Sequence, residues 1–147
     1  MNKMATTFML IMAFVGISFY IGQEAHTSSS GGPAGHTGSP GDGSSCANCH
    51  AGGTSSGKTA SITSDIPPTG YVPGATYTIT ATANSSTTSK FGFQISPQNI
   101  AGNLLGTLVN TSAQTQLVGS SKYITHTSGG TSGAGSKTWS FNWVAPA

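Results

Sequence analysis

The chain has 147 residues, enough for one domain of ordinary size, and only eight of them are charged: five Lys, three Asp or Glu and no Arg. With no basic patch to neutralise phosphates and no guanidinium to read guanine, nucleic-acid binding is excluded, and the acids are too few for a calcium cage or a paired-carboxylate hydrolase. What remains, with 22 Ser, 21 Thr and 21 Gly, is a nearly neutral, hydroxyl-rich chain of the exported all-β kind.

The N-terminus carries Lys3 and then an uncharged stretch, Met4 to Gly22, with an apolar run from Phe8 to Ile21. That length and flank suit a secretory signal helix over residues 1–25, with an uncleaved signal anchor as the rival and the only expected route to a membrane. Residues 26–57 form a Gly/Ser/Pro tract too rich in breakers for a long helix or strand. From residue 58 onward the texture changes. Tyr77 to Ala83, Phe91 to Ile95 and Trp139 to Trp143 alternate apolar with hydroxyl or amide residues, and Leu104 to Val109, Gln116 to Val118 and Tyr123 to Thr127 are further short runs. Turn signals at Pro67-Pro68, Pro73-Gly74, Ala101-Gly102-Asn103, Gly129-Gly130 and Gly133 to Ser136 separate them. Six or seven strands so spaced predict a β-sandwich over residues 58–147, with one inward face per strand.

The chemistry concentrates at Cys46-Ala47-Asn48-Cys49-His50, which contains both cysteines of the chain. Two residues between the thiols let both sulfurs reach one porphyrin edge as thioethers, and the adjacent imidazole then serves the iron as proximal ligand, so the motif points to haem c. A Cys46–Cys49 disulfide in an oxidising compartment is a second reading, and zinc held by Cys46, Cys49, His50 and one further His is a third. The segment Ala51-Gly52-Gly53 follows the motif at once, which predicts a loop-mounted site rather than one opening a long helix. The four Met residues all lie between positions 1 and 12, inside the signal segment, so a distal ligand must be His or solvent. His126, on a predicted strand in phase with Ile124, is the preferred distal candidate; His36, ten residues before Cys46, is the second; His26 lies next to the processing site. Phe91, Phe93, Tyr123, Trp139, Phe141 and Trp143 are the candidates for apolar cover over a haem, although aromatics at period two in a sandwich are core residues first. Asp42 and Asp65 have no pattern tying them to a Ser nucleophile, and no catalytic constellation is expected.

Several blocks carry a family likeness. Gly32-Pro33-Ala34-Gly35-His36-Thr37-Gly38-Ser39-Pro40-Gly41 followed by Cys46-x-x-Cys49-His50 resembles the opening of the Reeler-like domains of secreted bacterial proteins, also called choice-of-anchor type V domains. Lys90 to Gln94, Tyr123 to Thr127 and Trp139 to Pro146 resemble later blocks of that domain. The resemblance implies an immunoglobulin-like sandwich, export to the extracellular space, the cell surface or the periplasm, and the co-occurrence of the Cys-x-x-Cys-His and Thr-His-Thr segments, which favours His126 over His36. Such domains continue past the position of Ala147 into a further strand and an anchor, so the sandwich is expected to be incomplete at its C-terminal end. Two functions stay open at this point. One is an exported haem-carrying module of electron-transfer type that exchanges electrons with a redox partner protein. The other is a non-catalytic cell-surface or matrix module in which the cysteines staple a loop.

Overall fold

The computed structural model of the chain describes residues 28–50 and 57–147. The expected signal helix, His26, the four Met residues and Ala51 to Gly53 lie outside the described residues.

Among the described residues seven strands follow in chain order: β1 (Lys58–Ser64), β2 (Thr76–Ser85), β3 (Gln94–Ile95), β4 (Thr107–Val109), β5 (Thr115–Val118), β6 (Tyr123–His126) and β7 (Ser136–Val144). They form two antiparallel sheets, β1-β2-β7-β4 and β3-β6-β5, stacked as a sandwich. The four-plus-three division is that of a constant-type immunoglobulin domain, but the strand order is not. There the fifth strand sits between the second and fourth; here β7 takes that place and β5 pairs with β6. β7 is therefore a central strand, bonded on both sides, and β1, β4, β3 and β5 are the sheet edges.

The long strands form because their side chains alternate. In β2, Tyr77, Ile79 and Ala81 turn inward opposite Trp143, Phe141 and Trp139 of β7, so that the smallest residue faces one of the largest. Thr80 with Ser140 and Thr82 with Thr138 meet across the outer face at 3.1 and 3.0 Å, hydroxyl pairs of the kind that stabilise neighbouring strands. The interior unites Tyr77, Leu108, Phe141 and Trp143 of the first sheet with Ile124 of the second. Ala81, Phe91 and Trp139 form a second cluster, and Phe93 touches both. Its ring lies 4.7 Å from that of Trp139 and 6.1 Å from that of Phe141. Burial of the indoles is made affordable by partners: Trp139 Nε1 donates to the Gly130 carbonyl and Trp143 Nε1 to that of Leu105, both at 2.8 Å.

Two predicted strands are shorter than expected. Of Phe91 to Ile95 only Gln94 and Ile95 pair, because Phe91 bonds instead to the Thr131 carbonyl and Gly92 lies flat against the His126 ring. A Cβ at Gly92 would stand 2.6 Å from His126 Cε1, so the chain passes there only as glycine. Of Leu104 to Val109 only Thr107–Val109 pairs, since Leu105 bonds to the Pro97 carbonyl and Gly106 turns the chain at φ +67°.

Phe141 is 1 % exposed and Ile62 of the edge strand β1 is 63 % exposed. Phe141→Ala is expected to cost about 3–5 kcal/mol in urea unfolding, whereas Ile62→Ala stays within about 0.5 kcal/mol.

Candidate functional site

The Gly-rich segment has no large apolar side chains with which to build a core, and it folds by lying on the outer, polar face of β3-β6-β5. That face carries Gln94, Gln116, Tyr123 and Thr125 in phase, and the segment's backbone answers them. The Gly32 amide donates to Thr125 Oγ1 at 3.1 Å, Gln94 Nε2 donates to the carbonyls of Gly32 and Pro33 at 3.0 and 2.8 Å, and Gln94 Oε1 accepts from the His36 amide at 3.0 Å. Gln116 Nε2 donates to the Ser30 carbonyl. Gly31, at φ +121°, passes so close that a Cβ there would meet Gln116 Nε2 at 2.7 Å and the His126 carbonyl oxygen at 2.9 Å.

Beyond His36 the segment doubles back in a small hairpin closed by a bridge between Thr37 and Ser45 and by the bond from the Gly38 amide to the Ser44 carbonyl. Asp42, at the hairpin's far end, holds both the turn and its attachment. Its Oδ2 accepts from the Thr37 amide and hydroxyl; its Oδ1 accepts from Tyr123 Oη at 2.7 Å and from Gln98 Nε2 at 3.1 Å. Burial works to raise the Asp42 pKa, but the Thr37 hydroxyl, the Tyr123 hydroxyl, the Thr37 amide and the Gln98 amide together outweigh it and hold the group at about 2. The same bond to Asp42, followed by burial and the carboxylate's charge, pushes the Tyr123 phenol up.

The hairpin delivers the Cys-x-x-Cys-His motif. Its bridge sets His36 beside Cys46, whose thiol donates to the His36 carbonyl at 3.3 Å. The expectation of a loop-mounted motif needs one refinement: the five residues form a single helical turn. Cys46–Asn48 is a 3-10 turn, the Ser45 amide donates to Asn48 Oδ1 at 3.0 Å, and the amides of Cys49 and His50 both bond to the Cys46 carbonyl. Spacings of three and four residues bring Cys46, Cys49 and His50 to one face of the turn. Both thiols are free and exposed.

That face closes a cavity of about 540 Å³ between the segment and the sandwich, within the size range of cofactor sites. Cys46, Cys49, His50 and His36 line it from the segment, with Ser28, Gly31, Gly32 and Pro33; Gly92, Phe93, Gln94 and His126 line it from the sandwich. All five residues expected to bear the site thus line one cavity, although His126 lies 76 positions beyond His50 in sequence. Of the six aromatics considered as cover, Phe93 alone lines it. Trp139, Phe141, Trp143 and Phe91 are core, and Tyr123 is engaged with Asp42. A four-ligand zinc centre is not assembled, since among the described residues no three His, Cys, Asp or Glu side chains are grouped to hold an ion. Sequence reasoning missed Asp42, Gln94 and Gln98. The signals were an isolated carboxylate next to a Pro-Gly turn and a long amide, Gln94, which directly follows Phe93 and so takes the outward phase of its strand.

No protein-family model matches the chain, and no curated protein sequence matches it. Among solved structures it is similar to the crystal structure of the human F-spondin reeler domain (fragment 2), with 22% sequence identity over 69% of this chain and 74% of that chain and a TM-score of 0.46.

Asp42→Asn keeps the shape but removes the charge that four donors answer. The half-exposed site is screened by water, and the expected loss is on the order of 1–2 kcal/mol. Because the folded group titrates near 2 and the free carboxyl near 3.8, its contribution is complete above pH 4 and disappears as the pH falls through 2. Urea midpoints measured from pH 7 down to pH 2 are expected to fall in the wild type between pH 4 and 2, and to fall less in Asp42→Asn.

Proposed function

We propose that the chain is an exported, non-catalytic β-sandwich module of Reeler-like type that carries one haem c in the cavity beside Cys46–His50 and exchanges electrons with a redox partner protein. The observation that carries the reading is the convergence of both thiols and three imidazoles, His36, His50 and His126, on one cavity whose sandwich wall includes Phe93. Cys46 and Cys49 would form the thioethers and His50 the proximal iron ligand; the bound group would supply one-electron chemistry tuned by its axial ligands and exposure. The protein's own part is to present the three attachment residues on one turn, to hold that turn through Asp42 and Gln98, and to offer an apolar wall. The turn is solvent-exposed, which suits transfer to a partner. Export is supported by the charge and apolar run of residues 3–21.

The second reading keeps the exported module and replaces haem by a Cys46–Cys49 disulfide, in line with two exposed thiols on one turn. Such a bridge would close a very short loop and so constrain the unfolded chain little, in a segment already fastened by side-chain hydrogen bonds.

Expressed in an exporting host that has haem-attachment machinery, the mature protein is expected to keep a Soret band after denaturation and to gain the mass of one haem. Cys46→Ser with Cys49→Ser abolishes both. A colourless product with Cys46 and Cys49 oxidised to each other overturns the haem reading in favour of the staple.

A further inference from the structure

Two imidazoles besides His50 face the cavity, and their hydrogen bonds set them apart. His126 is 8 % exposed and engaged at both nitrogens. The Phe93 amide donates to its Nδ1 at 3.2 Å, with the Phe93 carbonyl at 3.3 Å and Thr125 Oγ1 at 3.4 Å from the same nitrogen, and Nε2 faces the Ser28 carbonyl at 3.3 Å. A proton on Nε2 satisfies both the Phe93 amide and the Ser28 carbonyl. The opposite tautomer would gain one bond, from Nδ1 to the Phe93 carbonyl, but would turn that proton toward the Phe93 amide and set two lone pairs against each other at Ser28, so the two bonds of the first outweigh it. In this state His126 has no free nitrogen for an electrophile.

His36 is arranged the other way. Its Nδ1 lies 3.2 Å from the Pro33 carbonyl and 3.1 Å from that of Ala34. Both partners only accept, so Nδ1 carries the proton and the neutral ring keeps its lone pair on Nε2. Among the described residues nothing bonds to that nitrogen, and a carbonyl on one ring nitrogen with the other open is the arrangement that orients and strengthens an imidazole ligand. The backbone on which the ring stands is fixed as well: the His36 amide is held by Gln94 Oε1 and the His36 carbonyl accepts from Cys46. His36 is therefore fastened both to the sandwich, through Gln94, and to the attachment turn, through Cys46.

We propose that His36, rather than His126, supplies the second axial imidazole to an iron porphyrin held at Cys46, Cys49 and His50, through the Nε2 lone pair that the Pro33 and Ala34 carbonyls leave free. This inference rests on the haem reading above for its ligand, but its geometry stands in the protein's own hydrogen bonds. His126 is then a wall residue that caps the Phe93 amide. Strand phase, which places His126 inward beside Ile124, identifies a buried ring but not a free nitrogen.

Three measurements test it. In the haem-free protein, long-range nitrogen–proton correlation spectra are expected to place the proton on Nδ1 of His36 and on Nε2 of His126; the reverse assignment overturns the proposal. In the haem-loaded protein the ferric spectrum is expected to be low-spin. His36→Ala converts it to high-spin and added imidazole restores it, while His126→Gln, which keeps an acceptor for Phe93, stays low-spin. A spectrum that survives His36→Ala and is lost in His126→Gln, or a high-spin wild type, overturns it. The third measurement adds ferric haem to the Cys46→Ser, Cys49→Ser protein. A low-spin complex that depends on His36 sustains the axial assignment even if the wild type never acquires covalent haem, the result that defeats the proposed function alone. Failure of added haem to give that complex overturns the inference.

Discussion

The site depends on one interaction, the docking of a glycine-rich backbone onto a polar sheet face. Ordering a segment of this composition is costly because glycine surrenders more conformational freedom than any other residue. It has no large apolar side chains to bury in return. The sandwich compensates with long amides and hydroxyls at outward positions of β3, β5 and β6, each of which meets a backbone amide or carbonyl that would otherwise need water. Asp42 completes this attachment. As the one carboxylate within the described part of the segment, it collects donors from the hairpin itself through Thr37 and from the scaffold through Tyr123 and Gln98.

The cavity follows from that docking. The docked segment supplies one side of it through Gly31, Gly32, Pro33 and His36, and the stretch Gly92 to Gln94 with His126 supplies the other. Phe93 decides what the gap is lined with. Its ring packs on Trp139 and Phe141 and also faces the cavity, so the hydrophobic interior continues up to the attachment turn. The His126 ring is held in place by the glycine at position 92 and by the Phe93 amide. The two sides of the cavity thus differ in kind: a rigid wall that belongs to the core, and a hairpin that carries the thiols, His50 and His36 together.

Much of the architecture could be read from the residues alone. β2 and β7 were legible because one face meets the core and the other meets water, which forces period-two alternation from Tyr77 to Ala83 and from Trp139 to Trp143. Phe91 to Ile95 has the same alternation, yet only Gln94 and Ile95 pair, because the burial of Phe91 and Phe93 is satisfied without a neighbouring strand. Alternation reports which side is buried; it does not report what the backbone bonds to. The departure from immunoglobulin strand order has the same origin, since period and length say nothing about which of two sheets a strand joins.

Residue spacing by itself pointed to Cys46, Cys49 and His50 as one chemical unit, since two residues between the thiols let both sulfurs reach one group and the imidazole follows at once. It also determined that the segment around them is built of breakers and that His36, His50 and His126 are the candidate ligands among the described residues. Only the tertiary structure decided that these residues share a cavity, because 76 positions of chain separate His50 from His126 and no local rule spans that distance. It alone decided, too, the state of each ring. Which imidazole nitrogen is free is set by the carbonyl or amide that faces it, and those groups come from Pro33 and Ala34 for one ring and from Phe93 and Ser28 for the other.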